Sequence, residues 1–285
     1  MSDTLHLGHI DKPLLIFGGS YSNLQATEAL KTLADQRGIT GEQCICTGDI
    51  VAYCGQPAET VDLIRKWGVH CVLGNCEESL ASDADDCGCG FDSGSQCDLL
   101  SNQWFHFSKN QLPAHHKRWF STLPKTLSFS MNGIDAIVVH GSISSINQFI
   151  FYSTDKATYN HEMSFLDERV RLVIGGHSGL PFSKKIGERL WHNSGALGMP
   201  ANDGTTSTWY SLIHPNSTGI EISHHRLPYN HIETQRIMQD NGLNNEYAHT
   251  LSNGLWPSID VLTEEEKSLT GKKLEEHSIT IKRSR

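Results

Sequence analysis

The sequence has no apolar run of membrane-spanning length, and its first dozen residues, Met1 to Lys12, are polar and lack the apolar core of a secretion signal. A cytoplasmic protein with no membrane contact is the expectation. Basic residues are also scarce: 23 Lys and Arg stand against 32 Asp and Glu, a formal charge of −9. Broad binding to nucleic-acid backbones needs a basic face whose contacts release counterions, so that class is excluded. A small phosphorylated substrate, drawn in locally by a metal, is not. No internal repeat or low-complexity segment occurs. The turn Gly18-Gly19-Ser20-Tyr21-Ser22-Asn23 lacks the Lys-Ser/Thr ending of a nucleotide-cradling P-loop. Cysteine, by contrast, is present eight times, which in a cytoplasmic chain points to buried thiols, a metal site or redox chemistry before structural disulfides.

At 285 residues, 38% hydrophobic and 19% charged, the chain can bury the core of one large α/β domain and still carry a tail. Four short apolar runs share one grammar. Cys44-Ile45-Cys46 leads into Thr47-Gly48-Asp49, Cys71-Val72-Leu73 into Gly74-Asn75, Ile137-Val138-Val139 into His140-Gly141, and Leu172-Val173-Ile174 into Gly175-Gly176-His177. Such runs read as buried strands of a mainly parallel sheet whose carboxyl ends gather where ligands bind. Asp49, Asn75, His140 and His177 would then converge. Two imidazoles, a carboxylate and a carboxamide oxygen form a mixed N/O set suited to manganese, iron, cobalt or zinc.

Between and beyond these motifs the pattern predicts a first strand at Pro13 to Gly18 and a helix carrying Leu24, Ala29, Leu30 and Leu33. A second helix runs from about Ala58 to Gly68. A helical stretch from Trp104 is broken at Pro113, with His106, His115 and His116 read as solvated. Asn132-Gly133 marks a hairpin between Thr126 to Met131 and Ile134 to Val139. Ser142 to Asn160 reads as an aromatic and polar wall of a substrate pocket, followed by a helix at His161 to Glu168. Thr208 to Ile213 and Gly219 to His225 alternate as strands. Two helices follow, then a charged tail, Glu264 to Arg285, expected to be mobile at its end.

The ordered motifs Gly19-Ser20-Tyr21, Gly48-Asp49, Gly74-Asn75-Cys76-Glu77, His140-Gly141-Ser142 and Gly176-His177-Ser178-Gly179 resemble those of the calcineurin-like metallophosphoesterases, in particular the small bacterial phosphodiesterase and diadenosine-tetraphosphatase-like branch. The resemblance spans roughly Leu14 to Arg226. It implies a four-layer α/β/β/α sandwich of two mixed sheets flanked by helices, of the α+β or α/β class. The phosphoesterase domain would occupy residues 13–227 and include a Cys-rich insertion at 77–104. An N-terminal extension (1–12) and a helical C-terminal extension with its tail (228–285) would flank it. It also implies a metal-dependent hydrolase that cleaves a phosphodiester or small nucleotide through a metal-bound hydroxide.

Departures from the family pattern are concentrated at one place. The family's D-x-H and the last His of its G-H-x-H belong to one of two metals, and here the matching positions are Gly19, Tyr21 and Gly179. The other metal keeps Asp49, Asn75, His140 and His177, so the resemblance implies one divalent ion per chain, manganese, iron or zinc. Asp49, Asn75 and His140 fall at catalytic positions. Cys76 stands where the family's histidine protonates the leaving oxygen. A thiol is a poor donor for that step, although beside a metal it becomes a thiolate and can bind it. Tyr21 and Tyr53 are candidate substrate-side residues, with packing over the vacated metal position as the ordinary explanation of Tyr21. Asn23 is a third candidate, with helix capping as its ordinary explanation. Two other functions stay open at this point. One is a phosphoesterase-fold protein that binds without turnover. The other is altered metal or redox chemistry that uses Cys76 with Cys87, Cys89 and Cys97.

Overall fold

The structure, a computed structural model, describes residues 4–91, 94–243 and 246–283. Parts of the expected N-terminal extension (1–3), Cys-rich insertion (92–93), C-terminal extension (244–245) and tail (284–285) lie outside the described residues. Along the chain the elements are β1 (Thr4–His9), β2 (Leu14–Phe17), α1 (Leu24–Gln36), β3 (Cys44–Cys46), α2 (Pro57–Trp67), β4 (His70–Cys71), α3 (Asn75–Ala81), α4 (Gln96–Gln111) and α5 (Ala114–Phe120). They continue with β5 (Thr126–Met131), β6 (Ile134–Val138), α6 (Lys156–Met163), β7 (Val170–Gly175), β8 (Pro181–Ile186), β9 (Arg189–Ser194), β10 (Thr208–Asn216), β11 (Gly219–Leu227), α7 (His231–Asp240), α8 (Glu246–Asn253), α9 (Glu264–Lys267) and β12 (Ser278–Lys282).

Two six-stranded mixed sheets, ordered β1-β5-β6-β7-β9-β8 and β12-β11-β10-β2-β3-β4, stack face to face. Alternation within single strands shows how. In β2, Leu14 and Ile16 point into the core between the sheets, while Leu15 and Phe17 point outward against α1 and α2, so all four side chains are buried. In β7, Leu172 and Ile174 face the inter-sheet core and Val173 faces the outer layer with Tyr159 and Met163 of α6. The result is helices, sheet, sheet, helix, the four-layer sandwich that the motifs imply. The four motif-bearing strands divide between the sheets, β3 and β4 in one and β6 and β7 in the other, rather than sharing one parallel sheet.

Three segments depart from expectation. The polar N-terminus adds an edge strand, because β1 pairs in parallel with β5 and Leu7 and Ile10 pack on the inter-sheet core. The chain's first strand is therefore β1 rather than the Pro13 to Gly18 segment. The charged tail is tied down at residues 278–282, where β12 pairs antiparallel with β11 and inserts Ile281 into the core. The helix expected at His161 to Glu168 starts earlier, at Lys156, because Asp155 caps it by accepting from Thr158 N. His116 is fully buried rather than solvated, its Nε2 2.7 Å from Asp62 Oδ1. The Asn132-Gly133 hairpin is present, with both residues at positive φ as a two-residue turn of the I′ kind needs.

Buried imidazoles tie β9 to β11. His192 in β9 lies between the Ser183 and Ser211 hydroxyls, and its ring is 4.6 Å from that of His224 in β11, which in turn lies 4.3 Å from His277. Burial, followed by the neighbouring imidazoles, pushes His192 well below the ordinary histidine range and His224 down to about 3. Both rings fold neutral, whereas in the unfolded chain they accept protons below about pH 6.5. Stability is therefore lost as pH falls from 6.5 toward 3. At pH 5 the His224 contribution alone is about 2 kcal/mol. Thermal melts at pH 7.5 and pH 5 check this: the wild type should lose several degrees more on acidification than a His224→Gln variant.

Candidate active site

Each of the four motifs ends a strand and turns at once. Beyond β3 the chain passes through Gly48 (φ +94°) into Asp49, itself at φ +55°. A Cβ on Gly48 would lie 2.7 Å from His140 Nδ1, and one on Gly74 would lie 2.3 Å from Asp49 Oδ1. Both glycines are thus needed for close approach. Of the seven non-glycine residues at positive φ among the described residues, Tyr21, Ser22, Asp49 and Tyr53 belong to the two loops at this site. Backbone strain is concentrated where the functional groups are placed. The loops hold each other: Tyr21 N donates to Asp49 O, Ser22 N to Ile50 O and Cys54 N to Tyr21 O.

The structure brings Asp49, Asn75, His140 and His177 together. His140 Nε2 lies 2.9 Å from Asn75 Oδ1, 3.1 Å from His177 Nδ1 and 3.3 Å from Asp49 Oδ2. Four tetrahedral ligands at 2.0–2.2 Å from one ion stand about 3.4 Å apart, so the three atoms around His140 Nε2 would need to move outward by only a few tenths of an ångström to share an ion with it. The tautomer is set by a backbone contact, since His140 Nδ1 donates to Thr47 O at 2.6 Å and leaves Nε2 to face the group. An imidazole lone pair surrounded by two oxygen acceptors and another imidazole nitrogen requires a cation in the middle, either a proton or a metal. The donor set therefore fits a divalent ion. Without one, burial opposes the charged form of His140, yet the Asp49 carboxylate and the Thr47 carbonyl raise its pKa above the ordinary value. Asp49 is held low against the effect of burial, chiefly by His140. His177, desolvated and beside His140, is driven down to about 3 and stays neutral.

Glu77 has a role that the sequence reading did not assign. Its carboxylate accepts from Asp49 N at 2.8 Å and Val51 N at 3.0 Å, pinning the loop that presents Asp49. Burial and the charge of Asp49 push it up to about 8. The Gly-Asn-x-Glu spacing was the available signal.

Cys76 is buried behind the ligands. Its backbone N donates to Asp49 Oδ1, and burial, Asp49 and Glu77 drive its thiol pKa well up, so it is a thiol and not a thiolate. Of the alternatives open for the cysteines, a four-thiolate cluster does not form among the described residues: Cys87 pairs with Cys89, while Cys76 and Cys97 are free.

Beside His177 opens a narrow apolar cleft of about 60 Å³, lined by Tyr21, Tyr53, Phe149, Tyr247, Trp256 and others. Tyr21 and Tyr53 meet edge to face at 4.8 Å, Tyr53 packs on Tyr247 at 4.5 Å, and Phe149 lies over His177 at 4.2 Å. Burial and Asp49 hold the Tyr21 phenol well above its ordinary pKa. Its hydroxyl points toward Gly179, 3.6 Å from where a Cβ would stand. Tyr21 thus fills the region where the family's other metal ligands would meet. Phe149 comes from the predicted aromatic segment, whereas Tyr247 and Trp256 come from the C-terminal extension and carried no local signal. Asn23 takes its ordinary role as a helix cap, and its candidacy as a substrate-side residue is set aside. It is fully buried, caps α1 by accepting from Ala26 N, and donates to Gly198 O and Tyr229 Oη, so no polar atom of it faces the cleft. A second potential metal-binding group, Asp62, His115 and His116, lies apart on α2 and α5.

Known proteins are similar to this chain over most of its length. The profile described as "Calcineurin-like phosphoesterase superfamily domain" matches residues 5–214. An uncharacterized protein of Methanocaldococcus jannaschii is 24% identical over 228 residues, which span 73% of this chain and 85% of that protein. Among solved structures, a metallophosphoesterase from Sphaerobacter thermophilus is similar at a TM-score of 0.66 and 22% identity, covering 86% of this chain and 100% of the other. A hypothetical protein from Pyrococcus horikoshii OT3 is similar at 0.69 and 14% identity, covering 86% and 99%.

Metal content measured after equilibration with manganese should approach one ion per chain. It should fall to near zero in Asp49→Asn and His140→Ala variants that retain a native circular dichroism spectrum. A ratio near two that persists in a His115→Ala variant, which removes a member of the second group on α2 and α5, would contradict a single ion at this centre.

Proposed function

The chain belongs to the calcineurin-like phosphoesterase superfamily, and from that premise we propose that it is a phosphoesterase that cleaves a small phosphodiester or nucleotide at a centre holding one divalent ion. The observation that carries the reading is the meeting of Asp49, Asn75, His140 and His177 donor atoms around one buried point, beside an apolar cleft. Manganese, iron or zinc held there would polarise a phosphoryl oxygen and lower the pKa of a water.

The protein's own groups have separable tasks. Thr47 O keeps the His140 ring in the tautomer whose Nε2 faces the ion, and Glu77 holds the backbone that presents Asp49. Tyr21, a phenol that stays protonated through the neutral range, has a hydroxyl on the cleft wall able to donate to a phosphate oxygen. Phe149, Tyr53 and Trp256 exclude water and contact the organic part of the substrate. Proton delivery to the leaving oxygen is the weak step. At the position of the family's histidine the Cys76 thiol is buried, with Asp49 beside it and its pKa raised. General acid catalysis contributes about 10²- to 10⁴-fold, so substrates with good leaving groups should be favoured strongly over alkyl esters.

The same observation supports a second reading, a protein that binds a phosphorylated ligand without turning it over. Hydrolysis of bis(4-nitrophenyl) phosphate with manganese separates the two. The enzyme reading expects metal-dependent release of nitrophenol, reduced at least about 100-fold by Asp49→Asn or His177→Ala, in line with loss of a positioned electrophile. Equal rates in wild type and both variants would remove it. Tight nucleotide binding with no turnover under any metal would favour the second.

A further inference from the structure

The cysteine loop that the proposed reaction leaves unused runs across the metal ligands. Cys87 and Cys89 form a disulfide with only Gly88 between them, and Gly88 sits at φ +62°. Asn75 Nδ2 donates to the Cys87 carbonyl at 2.9 Å and lies 3.4 Å from Cys89 Sγ. The amide group of Asn75 is therefore directed at this loop, and its Oδ1 is left facing His140 Nε2. The Cys89 backbone also lies beside the His177 ring. Asn147 Nδ2 donates to the Gly88 carbonyl at 3.0 Å, which ties the loop to the segment carrying Phe149. Cys87 and Cys89 are only 3% and 4% exposed, whereas Asp85, Asp86 and Gly90 around them are exposed. The sulfurs face the site and the back of the loop faces solvent.

We propose that the Cys87–Cys89 pair is a redox-governed clamp on Asn75. As a disulfide it holds the carboxamide oxygen toward the ion, and as two thiols it releases the carboxamide and weakens divalent-metal binding. The proposal rests on the single-metal reading above and adds a control to it. The closed ring fixes the Cys87 carbonyl in line with Asn75 Nδ2. Opening it returns torsional freedom to residues 87–89, and the Asn75 amide can then rotate to present Nδ2, which has no lone pair to give, in place of Oδ1. Partners that orient a metal ligand change affinity by about 10- to 100-fold. In the switching step a dithiol reductant supplies two electrons and two protons. Its own sulfurs join as a disulfide while the Cys87–Cys89 bond breaks to two thiols. Since the sulfurs face inward, attack requires the loop to lift. By linkage, bound metal favours the disulfide by the same factor that the disulfide favours metal.

The test uses the full chain in two forms: as oxidised protein, and after treatment with a water-soluble phosphine, which becomes its oxide using the oxygen of water, followed by anaerobic desalting. Thiols counted in denaturant should number six in the oxidised form and eight in the reduced form, from six free cysteines and eight in all. Manganese is the probe because it prefers oxygen and nitrogen to sulfur, so the new thiols do not capture it themselves. Titration followed by electron paramagnetic resonance should show the reduced form binding about tenfold or more weakly. A Cys87→Ser/Cys89→Ser double variant should bind like the reduced wild type with or without phosphine. Eight thiols after exposure to excess oxidised dithiol, equal or tighter binding by the reduced form, or a double variant that still responds to phosphine would each overturn the clamp and leave the metal site standing. Absence of manganese binding in both forms of a folded protein would remove the underlying site as well.

Discussion

A cluster of lone pairs aimed at one point is unstable by itself, and the architecture around Asp49, Asn75, His140 and His177 is organised to hold it. The carboxylate, the carboxamide oxygen and the imidazole nitrogens would separate in water. Here three of the four are fixed from behind by a backbone group or buried side chain: Thr47 O behind His140, Cys76 N and Glu77 around the Asp49 loop, and Cys87 O behind Asn75. Most of these supports come from residues that would never touch a substrate. Their effect is to make the binding of a positive charge the cheapest way to relieve the crowding.

The stacking of two sheets makes this arrangement possible. β3 and β4 deliver Asp49 and Asn75 from one sheet, and β6 and β7 deliver His140 and His177 from the other. The packed core between the sheets sets the distance between the two halves of the site. Because that core is Leu, Ile, Val and Phe from strands of both sheets, a cavity made far from the ligands would still be felt as a shift of one ligand pair against the other.

The convergence of the four residues was legible because each stands next to a glycine at the end of a short apolar run, a local pattern that survives without knowledge of contacts. The hairpin at Asn132-Gly133 was legible for the same reason, since two successive positive-φ residues need such a pair. What escaped was non-local. β1 and β12 are edge strands whose sequences are polar on the solvent side, so each is stabilised by the neighbour it pairs with and not by its own pattern. Asn23 could be read as a cap or as a substrate-side carboxamide, and its contacts to Ala26, Gly198 and Tyr229 decide for the cap. Glu77 was visible in its motif, yet its grip on the Asp49 loop depends on two backbone amides that spacing alone does not place.

Tyr247 and Trp256, which close one side of the cleft, lie beyond residue 214, where the family match ends. The groups that would perform chemistry and part of the wall that would choose the molecule are thus encoded in different stretches of the chain. Drift in the latter can retune which compounds are admitted while the reacting centre is left intact, so relatives with the same ligand quartet need not share a preferred compound.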